Sequence, residues 1–262
     1  MNSTETLVDP ATSGQTPTAI DEAAGGHPRR WWVLAVLCLS LFLVVVDNTI
    51  VNVALPTLSA DLNASTTELQ WIVDAYTLVF ASLLLAFGHF GDRFGRRGAL
   101  ALGLILFGAT SALAAFATSA GGLIGVRALM GVGAALVFPA TLAILMNVFT
   151  DKKQRAAAIG IWSGATGMAV AAGPVAGGFL LEHFWWGSVF LVNVPIVVVA
   201  VVAVMFVVPT SKDPDSGRMD WFGLVLSVAS IGLLVWSIIE GPRLGWTSAA
   251  IVAGGLSALA LL

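Results

Sequence analysis

The stretch GHFGDRFGRRG, residues Gly88–Gly98, decides the fold of this chain. It holds one acidic residue, three arginines and four glycines. The apolar runs on either side are each long enough to cross a bilayer, for which about 20 residues are needed. A charged, glycine-rich segment between two such runs predicts a tight turn at a membrane face. The chain is therefore expected to reverse direction here.

The composition of the 262-residue chain is typical of a polytopic membrane protein. Hydrophobic residues make up 58% of it and charged residues 10%, which is far more apolar than a soluble domain. The single cysteine, Cys38, excludes an internal disulfide and a cluster of thiolate metal ligands. The sequence has no phosphate-binding Gly-x-x-x-x-Gly-Lys-Ser/Thr segment and no Cys/His spacing for a metal. We expect no cofactor, no metal and no nucleic-acid partner.

Eight apolar runs organise the chain. They cover about residues 31–55, 69–87, 98–118, 121–149, 156–181, 188–208, 221–239 and 247–262. The last run stops too early for a complete crossing, so we expect the sequence to be truncated.

Four regions follow from these runs. Residues 1–28 are rich in Ser, Thr, Gly and Pro and lack Lys and Arg before position 29, which predicts a disordered tail. We expect a six-helix bundle over 29–208 and a polar linker over 209–220. Residues 221–262 are expected to hold a seventh helix and part of an eighth.

The basic residues predict the orientation. Those in the tail and in alternate loops are Arg29, Arg30, Arg93, Arg96, Arg97, Lys152, Lys153, Arg155, Lys212 and Arg218. The other loops hold only Arg243, and Arg127 lies within a run. The positive-inside rule therefore predicts a multi-pass protein of the cell membrane with its N-terminus and the Gly88–Gly98 turn in the cytoplasm.

The Gly88–Gly98 turn also follows a distinctive spacing, Gly-x-x-x-Asp-Arg-x-Gly-Arg-Arg. Its positions are Gly88, Asp92, Arg93, Gly95, Arg96 and Arg97. This spacing resembles the loop between the second and third spans of the major facilitator superfamily. The alternative is a basic loop that only obeys the positive-inside rule, but such loops rarely place an Asp and two glycines in this way. We interpret these six residues as a conformational latch, in which the glycines allow close approach and positive φ and Asp92 binds N–H or guanidinium groups.

The first and fourth runs carry further resemblances. LFLVVVDNTIVNVALPTLSADL, residues 41–62, resembles the first-span signature of the fourteen-span drug:proton antiporter branch of that superfamily. We expect Pro56, within it, to end the helix. The fourth run resembles the family pattern of an arginine, here Arg127, followed by two glycines at 131 and 133.

The fifth and sixth runs extend the resemblance. Gly173, Pro174, Gly177 and Gly178 match the Gly-Pro-x-x-Gly-Gly pattern of antiporters, with an ordinary membrane-helix kink as the alternative. The sixth run opens with WWGSVFLVNVPI, which resembles the family entry to this helix at Trp186, Phe190, Asn193 and Pro195. Gly187 and Ser188 stand where the family has Arg and Trp.

Three charged residues lie inside apolar runs. Counting from the expected outer ends at about 1.5 Å per residue puts Asp47, Asp74 and Arg127 roughly 7–12 Å from the outer face. A lone charge in hydrocarbon costs at least about 2.5 kcal/mol, so all three should face the bundle interior. We expect Asp74 rather than Asp47 to be the partner of Arg127. The alternatives for these two residues are a static pair, hydration near the headgroups, or a part in the mechanism. Asp47 has no basic residue within a helical turn, which favours a proton-linked role.

The resemblance implies an all-α major facilitator fold, seen here as the six-helix N-terminal bundle, a seventh helix and a truncated eighth. It implies proton-coupled antiport, with a drug-like small molecule, protons and the lipid bilayer as partners and a C-terminal bundle that is missing from this sequence. The alternatives are a sensor or scaffold of the same fold, a transporter of another solute, and a channel. An enzyme is not expected, because Ser163 has no base nearby and His183 falls in an outer loop.

Overall fold

The computed structural model describes residues 27–211 and 221–261, and these are helical apart from short connections. The helices are α1 (Arg30–Leu62), α2 (Thr66–Phe94), α3 (Arg96–Ala115), α4 (Ala120–Val148), α5 (Lys152–His183), α6 (Ser188–Leu191), α7 (Asn193–Val207), α8 (Trp221–Leu244) and α9 (Ala249–Leu261). With α6 and α7 taken as one span, seven are long and apolar enough to cross a membrane, and α9 is shorter. The expected all-α architecture is confirmed. The predictions for residues 1–26 and 212–220 lie outside the described residues.

The helix α1 continues through Pro56, so the prediction that this proline ends it is wrong. The helix stops at Asn63, whose backbone adopts a left-handed conformation with φ of 49°. Proline removes one helical hydrogen bond, but membrane helices tolerate it because neighbouring groups or water satisfy the carbonyl it leaves free. The helices α5 and α8 likewise run through Pro174 and Pro242.

The Gly88–Gly98 segment is helical over most of its length, which corrects the expectation of a tight turn spread over it. α2 extends to Phe94 and α3 begins at Arg96, so Gly95 alone separates the two helices. The φ angle of Gly95 is +117°, a conformation that side-chain-bearing residues rarely adopt. One residue with this backbone redirects the chain, so the polar residues around it stay in helices.

The helix α4 lies at the centre of the bundle. It packs most extensively against α2 and α3 and also contacts α1, while α5 packs mainly on α1 and α7 on α3. A Cβ atom at Gly131 would lie 2.6 Å from the carbonyl oxygen of Tyr76, so this glycine lets α4 approach the α2 backbone closely. The interior of the bundle is therefore built from α1, α2, α3, α4 and the α6–α7 span.

The helices α8 and α9 form a pair on the outside of this bundle. α8 packs on α2 and on α9, and the Ser230 hydroxyl donates a hydrogen bond to the Ala258 carbonyl at 2.7 Å. The buried ion-pair site described next lies on the opposite side of α2 and involves neither helix.

Candidate functional site

Asp47 lies at the middle of α1 and is fully buried. Its Oδ2 accepts a hydrogen bond from Nη1 of Arg127 on α4 at 2.5 Å, and the guanidinium is fully buried as well. Its Oδ1 accepts a hydrogen bond from Nδ2 of Asn193, the first residue of α7, at 2.8 Å. Three helices thus meet at one carboxylate, and both of its oxygens are satisfied.

The expected pairing of Arg127 with Asp74 is wrong, because Arg127 pairs with Asp47. Ile72 and Tyr76 of α2 both contact the Arg127 guanidinium. Asp74 lies two positions from each, and at about 100° per residue its side chain points to the opposite face of α2. The pairing with Asp74 was predicted from the depth of each residue in the membrane. Depth alone does not give the direction of a side chain around its helix axis.

Protein groups hold the guanidinium of Arg127 on several sides. Its Nε donates to the Ile72 carbonyl at 3.0 Å, and its Cζ lies 4.4 Å from the centroid of the Tyr76 ring, within the range of a cation–π interaction. The Tyr76 hydroxyl donates to the Val44 carbonyl of α1 at 3.2 Å. Nη2 of the arginine and its two N–H groups have no hydrogen-bond partner among the described residues.

Asn193 links the carboxylate to the α3 side of the bundle. Its Nδ2 also donates to the Ser111 hydroxyl oxygen at 3.0 Å, and the Ser111 hydroxyl donates to the Phe190 carbonyl at 2.8 Å. All these polar groups are buried. A change of charge at Asp47 would therefore be felt by α3, α4 and α7 together.

Asp74 faces a separate cavity of about 380 Å³ between α1 and α2, near the connection between these helices. The amide side chains of Asn52 and Gln70 line the same cavity. On its α8 side, Asp74 experiences the negative charge of Glu240. Glu240 is itself buried and accepts a hydrogen bond from Nε of Arg243 at 2.6 Å. This second acidic region is thus distinct from the Asp47 pair.

At the other end of α2, the charged residues of the turn make contacts on both sides of Gly95. Oδ1 of Asp92 accepts a hydrogen bond from Nε of Arg96 at 2.7 Å. The guanidinium of Arg93 lies 5.6 Å from the ring centroid of Phe94, and Nη1 of Arg97 donates to the Val208 carbonyl at 3.3 Å. A Cβ atom at Gly88 would make only ordinary contact with Pro139 of α4.

The Gly-Pro motif of α5 splits between two faces of the helix. Gly173 and Gly177 are buried against α1, and a Cβ atom at Gly173 would overlap the Thr49 hydroxyl oxygen. A Cβ atom at Gly178 would meet nothing within 4 Å, and Pro174 is exposed. Half of the motif therefore serves contact with α1, and half faces away from the bundle.

Comparison with known proteins identifies the family. The model of the Major Facilitator Superfamily matches residues 37–262, which is most of the chain. The chain belongs to the Major Facilitator Superfamily. The expected fold and family are thereby confirmed, and the chain is a multi-pass membrane protein.

Several curated relatives of this major facilitator chain have names that refer to drug resistance or export. The multidrug efflux pump LfrA of Mycolicibacterium smegmatis is 46% identical over 86% of this chain and 45% of its own length. The methyl viologen resistance protein SmvA of Salmonella typhimurium is 43% identical over 80% of this chain and 42% of its own. The tetracenomycin C resistance and export protein of Streptomyces glaucescens is 36% identical over 93% of this chain and 44% of its own length. The matched region covers less than half of each relative.

Sequence reasoning singled out Asp47 and Arg127 in this major facilitator chain but not the residues that join them. The sequence indicates Asn193 only as part of a motif, and it gives no prediction for Ser111 or Tyr76. The available signal was a polar side chain inside an apolar run, as in FLVNVPI, which must find a buried partner.

The two faces of the Gly-Pro motif predict unequal effects of adding one methyl group. Gly173→Ala should destabilise this major facilitator chain by about 1–3 kcal/mol, because the methyl group must push α5 away from Thr49 of α1. Gly178→Ala should not destabilise the chain and should stabilise it by up to about 1 kcal/mol, since its methyl group meets open space and alanine favours a helix more than glycine does. Unfolding of the purified protein in mixed micelles with rising SDS measures both. Equal effects of the two changes would contradict the α1–α5 contact.

Proposed function

We propose that this chain forms the first part of a proton-coupled exporter of drug-like small molecules, with Asp47 as its proton-binding group. The observation that carries the proposal is the fully buried Asp47–Arg127 pair in the middle of the bundle. Ionisable residues at membrane depth typically mark transport pathways and proton relays. The family and the names of the relatives support a transporter rather than an enzyme.

Protonation of Asp47 would change the balance of charge inside the bundle. The guanidinium of Arg127 stays charged at any physiological pH, so the carboxyl group is the member of the pair that can take up and release a proton. A proton on Oδ2 removes the ion pair and leaves Arg127 with the Ile72 carbonyl and the Tyr76 ring. Because an uncompensated buried charge is costly, the protonated and ionised forms favour different helix arrangements.

Coupling to a substrate then follows from linkage. A substrate that binds better to the arrangement favoured by ionised Asp47 lowers the affinity for the proton, and the proton lowers the affinity for the substrate to the same degree. Asp47 is enclosed in this structure, so we propose that substrate acts on it through helix movement. We propose an auxiliary role for Asp74, which lines the cavity beside Asn52 and Gln70. The Asp74 carboxylate would favour the binding of cations in this cavity.

We propose that the residues around Gly95 act as a latch between conformations. The Asp92–Arg96 pair bridges the only break between α2 and α3, and Arg97 ties α3 to the end of α7 at Val208. Opening or closing at Gly95 would change these contacts together. Normal transport by an Asp92→Asn protein would contradict the latch.

We propose a cell-membrane location with the N-terminus and the Gly95 end of the bundle in the cytoplasm, on the strength of the basic residues at that end. Residues 29–208 form the N-terminal bundle in this proposal, with a cytoplasmic linker over 209–220 and a second bundle supplied elsewhere in the protein. Gly98 is exposed and open, which makes it a suitable site for a reporter cysteine. Labelling of a Gly98→Cys protein from outside intact cells would overturn the orientation.

Transport by full-length protein in sealed vesicles tests the function. We expect an imposed pH gradient, acidic in the lumen, to drive accumulation of a lipophilic cation such as tetraphenylphosphonium in the lumen, and a protonophore to abolish it. Protein-free vesicles with the same gradient are the control. Specific binding without gradient-driven accumulation would support the alternative, a sensor or scaffold of the same fold.

A further inference from the structure

Glu240 of α8 is a buried carboxylate that the function proposed above does not use. It is 4% exposed, and its Oε2 accepts a hydrogen bond from Nε of Arg243 at 2.6 Å. The side chain of Arg243 is 48% exposed, so water can solvate the guanidinium without a buried partner. The needs of Arg243 therefore do not explain why Glu240 is buried. Acidic residues at membrane depth are costly and commonly functional.

The register between α2 and α8 brings Glu240 to the level of Asp74. A Cβ atom at Gly232 of α8 would lie 3.2 Å from the Ser82 hydroxyl oxygen of α2, which fixes one point of contact. Asp74 lies eight residues before Ser82, and Glu240 lies eight residues after Gly232. Successive spans alternate in direction, so the second and seventh are antiparallel, and both steps lead about 12 Å the same way. Asp74 accordingly experiences the charge of Glu240.

The pair formed by Glu240 and Arg243 supplies the charges that α8 and α9 bring to this level. The described residues of α9 include no charged side chain, and α8 has no other charged residue. The two charges of the pair are opposite, but they are not equally screened, because Glu240 is buried and Arg243 is about half exposed. The pair therefore presents a partly neutralised negative charge beside Asp74.

We propose that Glu240 and Arg243 set the affinity of the cavity lined by Asp74, Asn52 and Gln70 for a cationic substrate, a role that rests on the function proposed above. The buried Glu240 carboxylate attracts a cation in this cavity, and Arg243 limits the attraction by partly neutralising it. An uncharged substrate gains nothing from this arrangement. The α8–α9 pair thereby takes part in the choice of substrate from outside the six-helix bundle.

Binding of tetraphenylphosphonium to purified full-length protein tests these roles, because the two residues carry opposite charges. Glu240→Gln leaves the positive charge of Arg243 alone beside the cavity and should weaken binding by about fivefold. Arg243→Gln leaves the Glu240 carboxylate without its counter-charge and should tighten binding by about fivefold. Equilibrium dialysis measures both dissociation constants. A merely structural role of the pair would weaken binding in both variants.

Two further variants keep the comparison valid. Arg243→Lys keeps the positive charge and should bind like the wild type. The double variant Glu240→Gln with Arg243→Gln removes both charges and should return the dissociation constant towards the wild-type value. It also replaces Glu240→Gln if that protein does not fold, as judged by its elution in size-exclusion chromatography.

Lys152→Gln is the matched control for the loss of an exposed positive charge. Lys152 is exposed at the start of α5, next to the end of α4, where the Val148 carbonyl accepts a hydrogen bond from the His27 amide before α1. The cavity beside Asp74 lies near the other end of α1. Because the whole length of α1 separates the two places, this variant should bind tetraphenylphosphonium like the wild type.

Equal dissociation constants for the wild type, Glu240→Gln and Arg243→Gln would overturn this role of α8, as would weaker binding in both variants. If the wild type nevertheless accumulates tetraphenylphosphonium in vesicles under a pH gradient, the proposed function stands without it. Failure of the wild type to accumulate the cation would overturn the proposed function and this role together.

Discussion

Full-length protein carrying Asp47→Asn should release no protons when substrate is added, whereas the wild type should release them. An asparagine side chain keeps the size of the aspartate and an acceptor oxygen for Arg127, but it cannot bind or release a proton in this pH range. If Asp47 is the group through which proton and substrate compete, its loss removes the coupling entirely. Protein in weakly buffered detergent solution, with a pH-sensitive dye and added tetraphenylphosphonium, measures the effect.

Asp74→Asn is the matched control for this experiment, because it makes the same chemical change on the face of α2 turned away from Arg127. It should weaken proton release less than Asp47→Asn does. Binding of tetraphenylphosphonium to each variant, measured by equilibrium dialysis, separates lost coupling from lost binding. Unchanged proton release by the Asp47→Asn protein would remove Asp47 from the mechanism.

The second large effect concerns stability, and we expect it to be asymmetric. Removing one partner of a buried ion pair typically costs about 3–5 kcal/mol. Asp47→Asn leaves a guanidinium that cannot lose its proton, whereas Arg127→Met leaves a carboxyl group that can neutralise itself by taking one up. Asp47→Asn should therefore destabilise the protein more than Arg127→Met. Unfolding in mixed micelles with rising SDS measures both.

The double variant Asp47→Asn with Arg127→Met provides the decisive comparison. With both charges gone, it should recover most of the stability lost in Asp47→Asn alone, because no uncompensated charge stays buried. It should still release no protons on substrate addition, which keeps the coupling test valid if Asp47→Asn does not fold. Additive losses in the double variant would contradict the pairing of Asp47 with Arg127.

The amino-acid sequence was sufficient to predict the all-helical architecture and the number of long apolar helices. In hydrocarbon, every backbone N–H and C=O group must be satisfied within the protein, so a long apolar run can only become a helix. The predicted break, over Gly88–Gly98, is longer than the observed one at Gly95. Charged residues at a membrane face are compatible with either a helix or a loop, so the sequence does not give the length of the break. At Gly95 and at Asn63, the conformation of one residue decides where the helix ends.

The contents of the site were predictable only in part. Asp47 and Arg127 could be identified as interior residues, because each is a charged residue within an apolar run and burying a charge in hydrocarbon is costly. No local sequence pattern shows which charged residues pair with each other. Pairing depends on the direction of each side chain around its helix axis and on which helices are neighbours. Asp74 points away from the arginine, while Asp47 on another helix meets it. Asn193 reaches the same carboxylate from 146 positions away along the chain, and only the packing of α7 against α1 and α3 brings it there, because hydrogen bonds between helices act over a few ångströms.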